Sequence, residues 1–382
     1  MIADEGRVTA FLGSLRHTVR PGDVVLELGT GHGHMAVAAC AAGAQRVFAV
    51  EPNGDALDVA RELAAQNNCA DRITFMHARS DQVELPVPAD VLIEDLRGLL
   101  PLYGDRIPAL VDVRARLLRP DARLVCLRDT VWAAPCTMPP EFASFFARDV
   151  DLGGVDGSAV DRRLRNEWCK VRIQPSDLVA TPAPLFSIDL GTVTSPDAHG
   201  TAAWTVERSA RIEGIAVWFR AELAGGFGLD TGPSGSAKVY AQSFFPLSQG
   251  CDATGGDRMQ LDFRAKHTDA GYLFAWNTTH AKGRSDAVAT VFRQSTLASA
   301  VGSLPALLRR RAAHTPVPGA AAALVNALMA LADGTRSYSQ IADALHNDFP
   351  GRFRDREDAL GFAVGHVAQL EDDDSFRPTR HS

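Results

Sequence analysis

The sequence contains no CxxC pair and no repeated Cys/His spacing among its six cysteines, Cys40, Cys69, Cys126, Cys136, Cys169 and Cys251. That scatter supplies no zinc ligand set and reads as reduced thiols, so the expectation is a cytoplasmic protein without a metal site. No segment reaches about 18 uninterrupted apolar residues, and the start, MIADEGRVTAFLG, lacks both the basic region and the apolar run of a signal peptide. Neither a membrane span nor export is therefore expected. Positive charge is also short: 39 Lys and Arg against 46 Asp and Glu give a net charge of -7. There is no broad cationic field for a nucleic-acid backbone, so nucleic acid is not an expected partner and small molecules or peptides are favoured. The 32 Gly and 21 Pro are spread rather than gathered in a tract, which excludes global disorder.

What is present is a chain of 382 residues, 46% hydrophobic, enough for two or three folding units. VVLEL at 24–28 is a short strand that runs into GTGHG, and MAVAACAAGA then reads as a helix. VFAVE at 47–51 is a second strand ending in an acid, followed by the helix DALDVARELAAQNN. ITFMHA, ADVLIEDL and RLVCLRD supply three more strands, with a helix around IPALVDVRARLL. The alternation predicts a parallel sheet covered by helices, with a crevice at the carboxyl ends of its strands.

The texture then changes twice. Between 132 and 300, strand-like runs such as AAWTVE, GIAVWFRAEL and MQLDFRA are separated by Gly, Pro, Asp and Ser, predicting a β-rich domain. From 301 to 376, short amphipathic helices including AAALVNALMALADG and SYSQIADALHNDF predict a small helical or winged-helix module, with a turn at Asp333-Gly334. The fold class expected is thus α/β: a Rossmann-like domain over 1–131, a β-barrel-like domain over 132–300, and the appended module. Arg309, Arg310 and Arg311 suit a solvated helix end at least as well as a phosphate contact, and the tail EDDDSFRPTRHS reads as frayed.

Gly29, Gly31 and Gly33 form a GxGxG loop between first strand and first following helix, where backbone can approach a ligand that side chains would block. The third Gly comes one residue earlier than in the dinucleotide pattern. Together with Glu27 before the loop and Glu51 at the end of the second strand, which can accept hydrogen bonds from both ribose hydroxyls, this points to a nucleoside cofactor.

From MIADEGRVTAFLG through RVFAVE the chain resembles the protein arginine methyltransferase family, and the likeness extends over roughly 1–255. The resemblance implies a class I methyltransferase domain over 1–131 and an acceptor domain over 132–300, with S-adenosyl-L-methionine as cofactor, Arg7 meeting its carboxylate and Phe11 closing over it. It places Glu27, Gly29, Gly31 and Gly33 in the loop, Glu51 on the ribose, and Ser80 and Asp81 of RSDQVELP at the adenine. It also implies a homodimer formed by an arm at 150–180.

The same resemblance shows departures. The family holds a substrate guanidinium between two glutamates, but in IEDLRGLLPLYGD Asp95 stands at the first acidic position and Gly104 at the second, with Tyr103 matching a tyrosine. Half of a bidentate clamp is lost and the remainder is shortened by one methylene. Glu94 and Asp105 lie one residue from the expected acids and restore a clamp if the register shifts. Where the family has Thr-His-Trp this chain has Lys238, Val239 and Tyr240, and neither His199 nor His280 has the spacing to replace the histidine. The acceptor side is accordingly assigned to Glu94, Asp95, Tyr103 and Asp105, and the acceptor to a nitrogen, or less readily an oxygen, of a peptide, protein or natural product. Two further readings stand beside it: an arginine methyltransferase with a rearranged clamp, and a non-catalytic scaffold that binds the cofactor.

Overall fold

The central strand of the first sheet is VVLEL, whose Val25, Leu26 and Leu28 are fully buried on both faces, as a parallel strand covered by helices requires. The structure, a computed structural model, describes residues 3–143, 155–236, 238–283, 290–299 and 315–367. Helix α1 (Glu5–Thr18), capped by the Asp4 side chain on the Arg7 amide, precedes strand β1 (Val24–Leu28). Then come α2 (His34–Ala41), β2 (Arg46–Glu51), α3 (Gly54–Gln66), β3 (Ile73–His77), β4 (Ala89–Glu94), α4 (Arg106–Arg116) and β5 (Leu118–Leu124). All strand pairs in this sheet are parallel, in the order β3-β2-β1-β4-β5. The order reverses between β1 and β4, so the loops leaving these two strands part company and open a crevice at their carboxyl ends.

RLVCLRD, expected as one fifth strand, is instead divided at Val125. Strand β5 ends at Leu124, and β6 (Cys126–Cys136) pairs antiparallel with β10 (Ala210–Leu223) in a different sheet. The apolar character continues across the handover, so nothing local in the sequence marks it.

The remaining strands are β7 (Cys169–Val171), β8 (Ala183–Asp189), β9 (Ala198–Thr205), β11 (Gly228–Asp230), β12 (Gln242–Ala253), β13 (Arg258–Thr268), β14 (Gly271–Ala281) and β15 (Thr290–Ser295). They form two antiparallel sheets, β7-β12-β10-β6-β8 with β11 beside β10, and β15-β14-β13-β9. Along β14 buried and half-buried residues alternate, the mark of a sheet with one face inward. One continuous core runs from Ala10 and Phe11 of α1 through the parallel sheet to Phe263, Trp276 and Phe292. This shared core holds α1 and the β-rich region against the crevice. Of the expected arm, a helix at Ser158–Leu164 is present, while 144–154 lies outside the described residues.

Contacts divide the chain into Met1–Ala300 and Val301–Ser382. The second unit holds helices Ala320–Leu331, Tyr338–Asp348 and Arg356–Val367, packed through Leu324, Leu328, Ile341, Leu345 and Ala363. Ser337 and Gln340 make a reciprocal capping box at the start of its middle helix. No strand occurs among its described residues, so of the two expected forms it takes the helical one; Arg309, Arg310, Arg311 and the tail lie outside the described residues.

Candidate active site

The loop from β1 to α2 is shaped by backbone that side chains disfavour. Gly33 has φ +79°, and a Cβ there would lie 2.8 Å from that of Ala60, so this glycine lets α2 begin against α3. Gly31 has φ +53° with open space where a Cβ would point, leaving its face of the loop free for a ligand. The Gly31 amide donates to Glu51 Oε2 at 3.0 Å, and the Asn53 amide donates to Glu51 Oε1 at 3.1 Å. Glu51 therefore fixes both the loop and the turn after β2. On β1, Glu27 is buried and accepts the Thr30 hydroxyl at 2.6 Å. Burial pushes its carboxyl up to about 8, against the opposing pull of Thr30 and Arg7.

Beside the loop, α1 delivers Arg7 over the ring of the fully buried Phe11, with 5.1 Å from guanidinium carbon to ring centre. Arg7 is buried and pairs with Asp95, its Nε and Nη2 each 2.6 Å from Asp95 Oδ2. Its third nitrogen, Nη1, is buried and has no hydrogen-bond partner. Tyr240 donates its hydroxyl to the same Oδ2 at 2.6 Å, and burial followed by Asp95 drives that phenol far above its usual range. The preceding residue is anchored too, since the Val239 amide donates to Asp4 Oδ2 at 2.7 Å. Lys238 is exposed.

Two arginines of the 95–106 loop complete the arrangement. Arg97 donates Nη1 to Asp95 Oδ1 at 2.9 Å and holds Asp129 with Nε and Nη2 at 3.0 and 2.9 Å. Arg106 grips Glu94 with Nη2 and Nε at 2.6 and 3.0 Å and reaches Asp129 with Nη1 at 2.7 Å. Burial alone would raise the Glu94 carboxyl, but Arg106 and then Arg97 outweigh it and hold it at about 2. Arg97, Arg106, Glu94 and Asp129 are all buried.

A cavity of about 600 Å³, a size ordinary for small-molecule sites, opens at the carboxyl ends of β1, β2 and β4. Its wall includes Gly29, Ser80, Asp95, Arg97, Tyr103, Asp105 and Arg106. Three of the four residues assigned to the acceptor, Asp95, Tyr103 and Asp105, are thus brought together on it, while Glu94 sits behind the wall, occupied by Arg106. Asp105 is about half exposed and pairs with Arg79 at 3.1 Å; His267 of β13 lies 3.2 Å away, without alignment for a hydrogen bond. Ser80 lines the cavity, whereas Asp81 is exposed beside Arg79 at 3.6 Å. A second groove, of about 820 Å³, runs between the start of α1 and the β-rich region, bordered by Asp4, Glu5, Thr9, Arg172, Phe227 and Lys238.

Sequence reasoning missed Arg97, Arg106, Asp129 and His34. The last opens α2 with Nε2 buried and unpartnered, and burial followed by Arg7 lowers its imidazole to about 4. The available signal is the presence of two arginines in the largely apolar stretch LRGLLPLYGDRI, which offers them only Asp105 as a local counter-charge. A cation in such a stretch stays buried only when paired.

The glycine loop, the acid ending β2 and a buried guanidinium nitrogen without a partner fit a nucleoside cofactor that carries an amino-acid carboxylate. Comparison with known proteins agrees. The family model described as "Ribosomal protein L11 methyltransferase (PrmA)" matches residues 9–102. Protein arginine N-methyltransferase 6 of Xenopus tropicalis is 26% identical over 263 residues, covering 65% of this chain and 77% of its own length. Arginine N(omega)-methyltransferase of Streptomyces achromogenes subsp. streptozoticus is 25% identical over 267 residues, covering 68% and 73%. Among solved structures, the Trypanosoma brucei PRMT1 enzyme-prozyme heterotetrameric complex with AdoHcy superposes with a TM-score of 0.70 at 21% identity, covering 77% of this chain and 96% of that one. Arabidopsis thaliana protein arginine methyltransferase 10 gives 0.68 at 20% identity, covering 78% and 96%.

Proposed function

We propose that this chain, an S-adenosylmethionine-dependent methyltransferase similar to the protein arginine methyltransferases, transfers a methyl group to a nitrogen of a peptide or protein. The observation that carries the reading is the cradle: the open glycine loop tied to Glu51, with the unpartnered Arg7 Nη1 buried beside it. Arg7 would receive the cofactor's carboxylate, Glu51 its ribose, and Ser80 and Asp81 its adenine, with Phe11 backing Arg7 and Glu27 steadying the loop. S-adenosylmethionine supplies a methyl group already activated by its sulfonium, so the protein needs no nucleophile of its own. What the residues contribute is alignment, exclusion of water and a fixed electrostatic field. Asp95, Tyr103 and Asp105 form the acceptor side of the cavity. The groove beside α1 offers room for a peptide, which favours that class of acceptor over a small natural product. Homodimer formation and a cytoplasmic location belong to the same reading; among the described residues no helix is long and apolar enough to cross a membrane.

The test is transfer of labelled methyl from S-adenosylmethionine into a lysate separated into protein, peptide and small-molecule fractions, with Glu51→Ala as control. Label in protein or peptide that disappears with the variant is expected. Label confined to small molecules would overturn the peptide assignment, and no label in any fraction would count against transfer itself.

A further inference from the structure

The acceptor wall contains carboxylates: Asp105 is half exposed and pairs with Arg79, while those of a buried cluster in and behind the wall already face cations of the chain itself. A carboxylate offers about four lone-pair sites. Asp95 takes Arg7 Nε, Arg7 Nη2 and Tyr240 on Oδ2, each at 2.6 Å, and Arg97 Nη1 on Oδ1 at 2.9 Å. Glu94 takes both arms of Arg106 and the Leu96 amide at 3.2 Å. Asp129 is shared between Arg97 and Arg106. Three carboxylates thus face three guanidinium groups, Arg7, Arg97 and Arg106, within one buried, charge-balanced cluster. Arg97 and Arg106 border the cavity, their guanidinium groups buried behind its surface.

We propose that the acceptor nitrogen taken by this site is uncharged, and that Arg97 and Arg106 are the residues that select it by closing the wall to cations; the inference rests on the methyltransferase reading above. A guanidinium or ammonium entering here would leave water for a wall backed by two buried arginines and find no carboxylate of the cluster free to pair with it, so its desolvation would go largely uncompensated by the cluster. A neutral nitrogen bears no such cost. Among peptide groups, histidine imidazole is uncharged and nucleophilic near neutral pH, whereas arginine and lysine are protonated and a backbone amide has its lone pair delocalised. In the transfer step the imidazole lone pair forms the N–C bond to the methyl carbon as the S–C bond breaks and its electron pair returns to sulfur. The methylated ring then gives up its N–H proton to Asp105, the carboxylate of the wall that stands outside the cluster, and from there to solvent.

The experiment compares four N-acetylated peptides of one sequence carrying a single His, Arg, Lys or Ala, and the Ala peptide with a free N-terminus. Labelled methyl transfer is measured, together with calorimetric binding to protein loaded with S-adenosylhomocysteine. Transfer to the His peptide at least about a hundredfold more efficient than to the Arg or Lys peptides is expected, since an uncompensated buried charge is worth several powers of ten in an equilibrium constant. Preferential transfer to, or tighter binding of, the Arg or Lys peptide overturns the proposal while leaving the methyltransferase reading intact. Transfer confined to the free N-terminal amine supports the uncharged acceptor and removes imidazole as its source. If no peptide is methylated, the peptide assignment of the acceptor fails, and the binding comparison still decides whether the wall rejects cations. Arg97→Met leaves the cluster with one excess negative charge, and tighter binding of the Arg peptide is expected, by about tenfold. Arg97→Met with Asp129→Asn restores neutrality and should cancel that gain; a gain equal in both variants would refute the charge argument.

Discussion

Replacing Glu94 by glutamine removes one charge from the buried cluster while keeping its shape, and its cost follows from the geometry. The carboxylate is held by both arms of Arg106 at 2.6 and 3.0 Å. It is brought from 4.5 to about 2, burial pushing upward and the two arginines prevailing. A shift of that size corresponds to about 3 kcal/mol of stability at neutral pH. Because the folded value is the lower one, this contribution is present above about pH 4.5 and is lost as pH falls toward 2. Losing one partner of a buried pair costs about 3–5 kcal/mol, since Arg106 then keeps only Asp129 as counter-charge. Urea unfolding reads this cleanly, because all five tryptophans (Trp132, Trp168, Trp204, Trp218, Trp276) lie before residue 300 and their fluorescence follows that unit alone. With a slope of roughly 3 kcal/mol/M, the midpoint at pH 7 should fall by about 1–2 M. Pairing Glu94→Gln with Arg106→Met, which leaves Arg97 with Asp129, should recover most of the loss. A shift for Glu94→Gln below about 0.3 M would refute the claim that this ion pair supports the fold.

Gly33→Ala places a Cβ 2.8 Å from Ala60 at φ +79°; calorimetry should show S-adenosylhomocysteine binding weakened by about tenfold or more, a strain of about 1–2 kcal/mol falling directly on the loop. Tyr240→Phe removes one of the donors to Asp95 and should lower stability by about 1–2 kcal/mol in the same urea assay. Glu27 titrates at about 8 in the free protein because of burial. Its raised value erodes folding stability as pH rises from 4.5 through 8. A cationic cofactor nearby favours its carboxylate, so binding near pH 7 should release protons, visible as a dependence of binding heat on buffer ionisation enthalpy. Equal heats in all buffers would contradict that role.

Much of the parallel sheet could be read in the sequence because each strand carries its own local signal. VVLEL ends at its glycine loop as expected, and Arg46–Glu51 ends in the acid that the loop requires. The division of RLVCLRD could not be read, since membership of one sheet or another is decided by partners distant in the chain: β5 lies beside β4, and β6 beside β10 and β8. The site divided in the same way. Gly31 and Glu51 announce themselves by position, but the closure of the acceptor wall depends on Arg97 meeting Asp129, separated by 32 residues, and on Tyr240 meeting Asp95, separated by 145. No spacing rule reports such pairs. A clamp regained by shifting Glu94 into register was a reasonable expectation from sequence adjacency, yet β4 turns that side chain into the core, where Arg106 occupies it.

The claim on which everything else depends is that the loop between β1 and α2 is a cradle for S-adenosylmethionine. The most direct measurement is calorimetric titration of the purified chain with S-adenosylmethionine and S-adenosylhomocysteine, beside Glu51→Ala. Saturable binding of one equivalent per chain, weakened by about tenfold or more in the variant, is predicted from the loss of an acceptor for ribose and for the Gly31 amide. Absence of binding to either compound, or binding unaffected by Glu51→Ala, would contradict it.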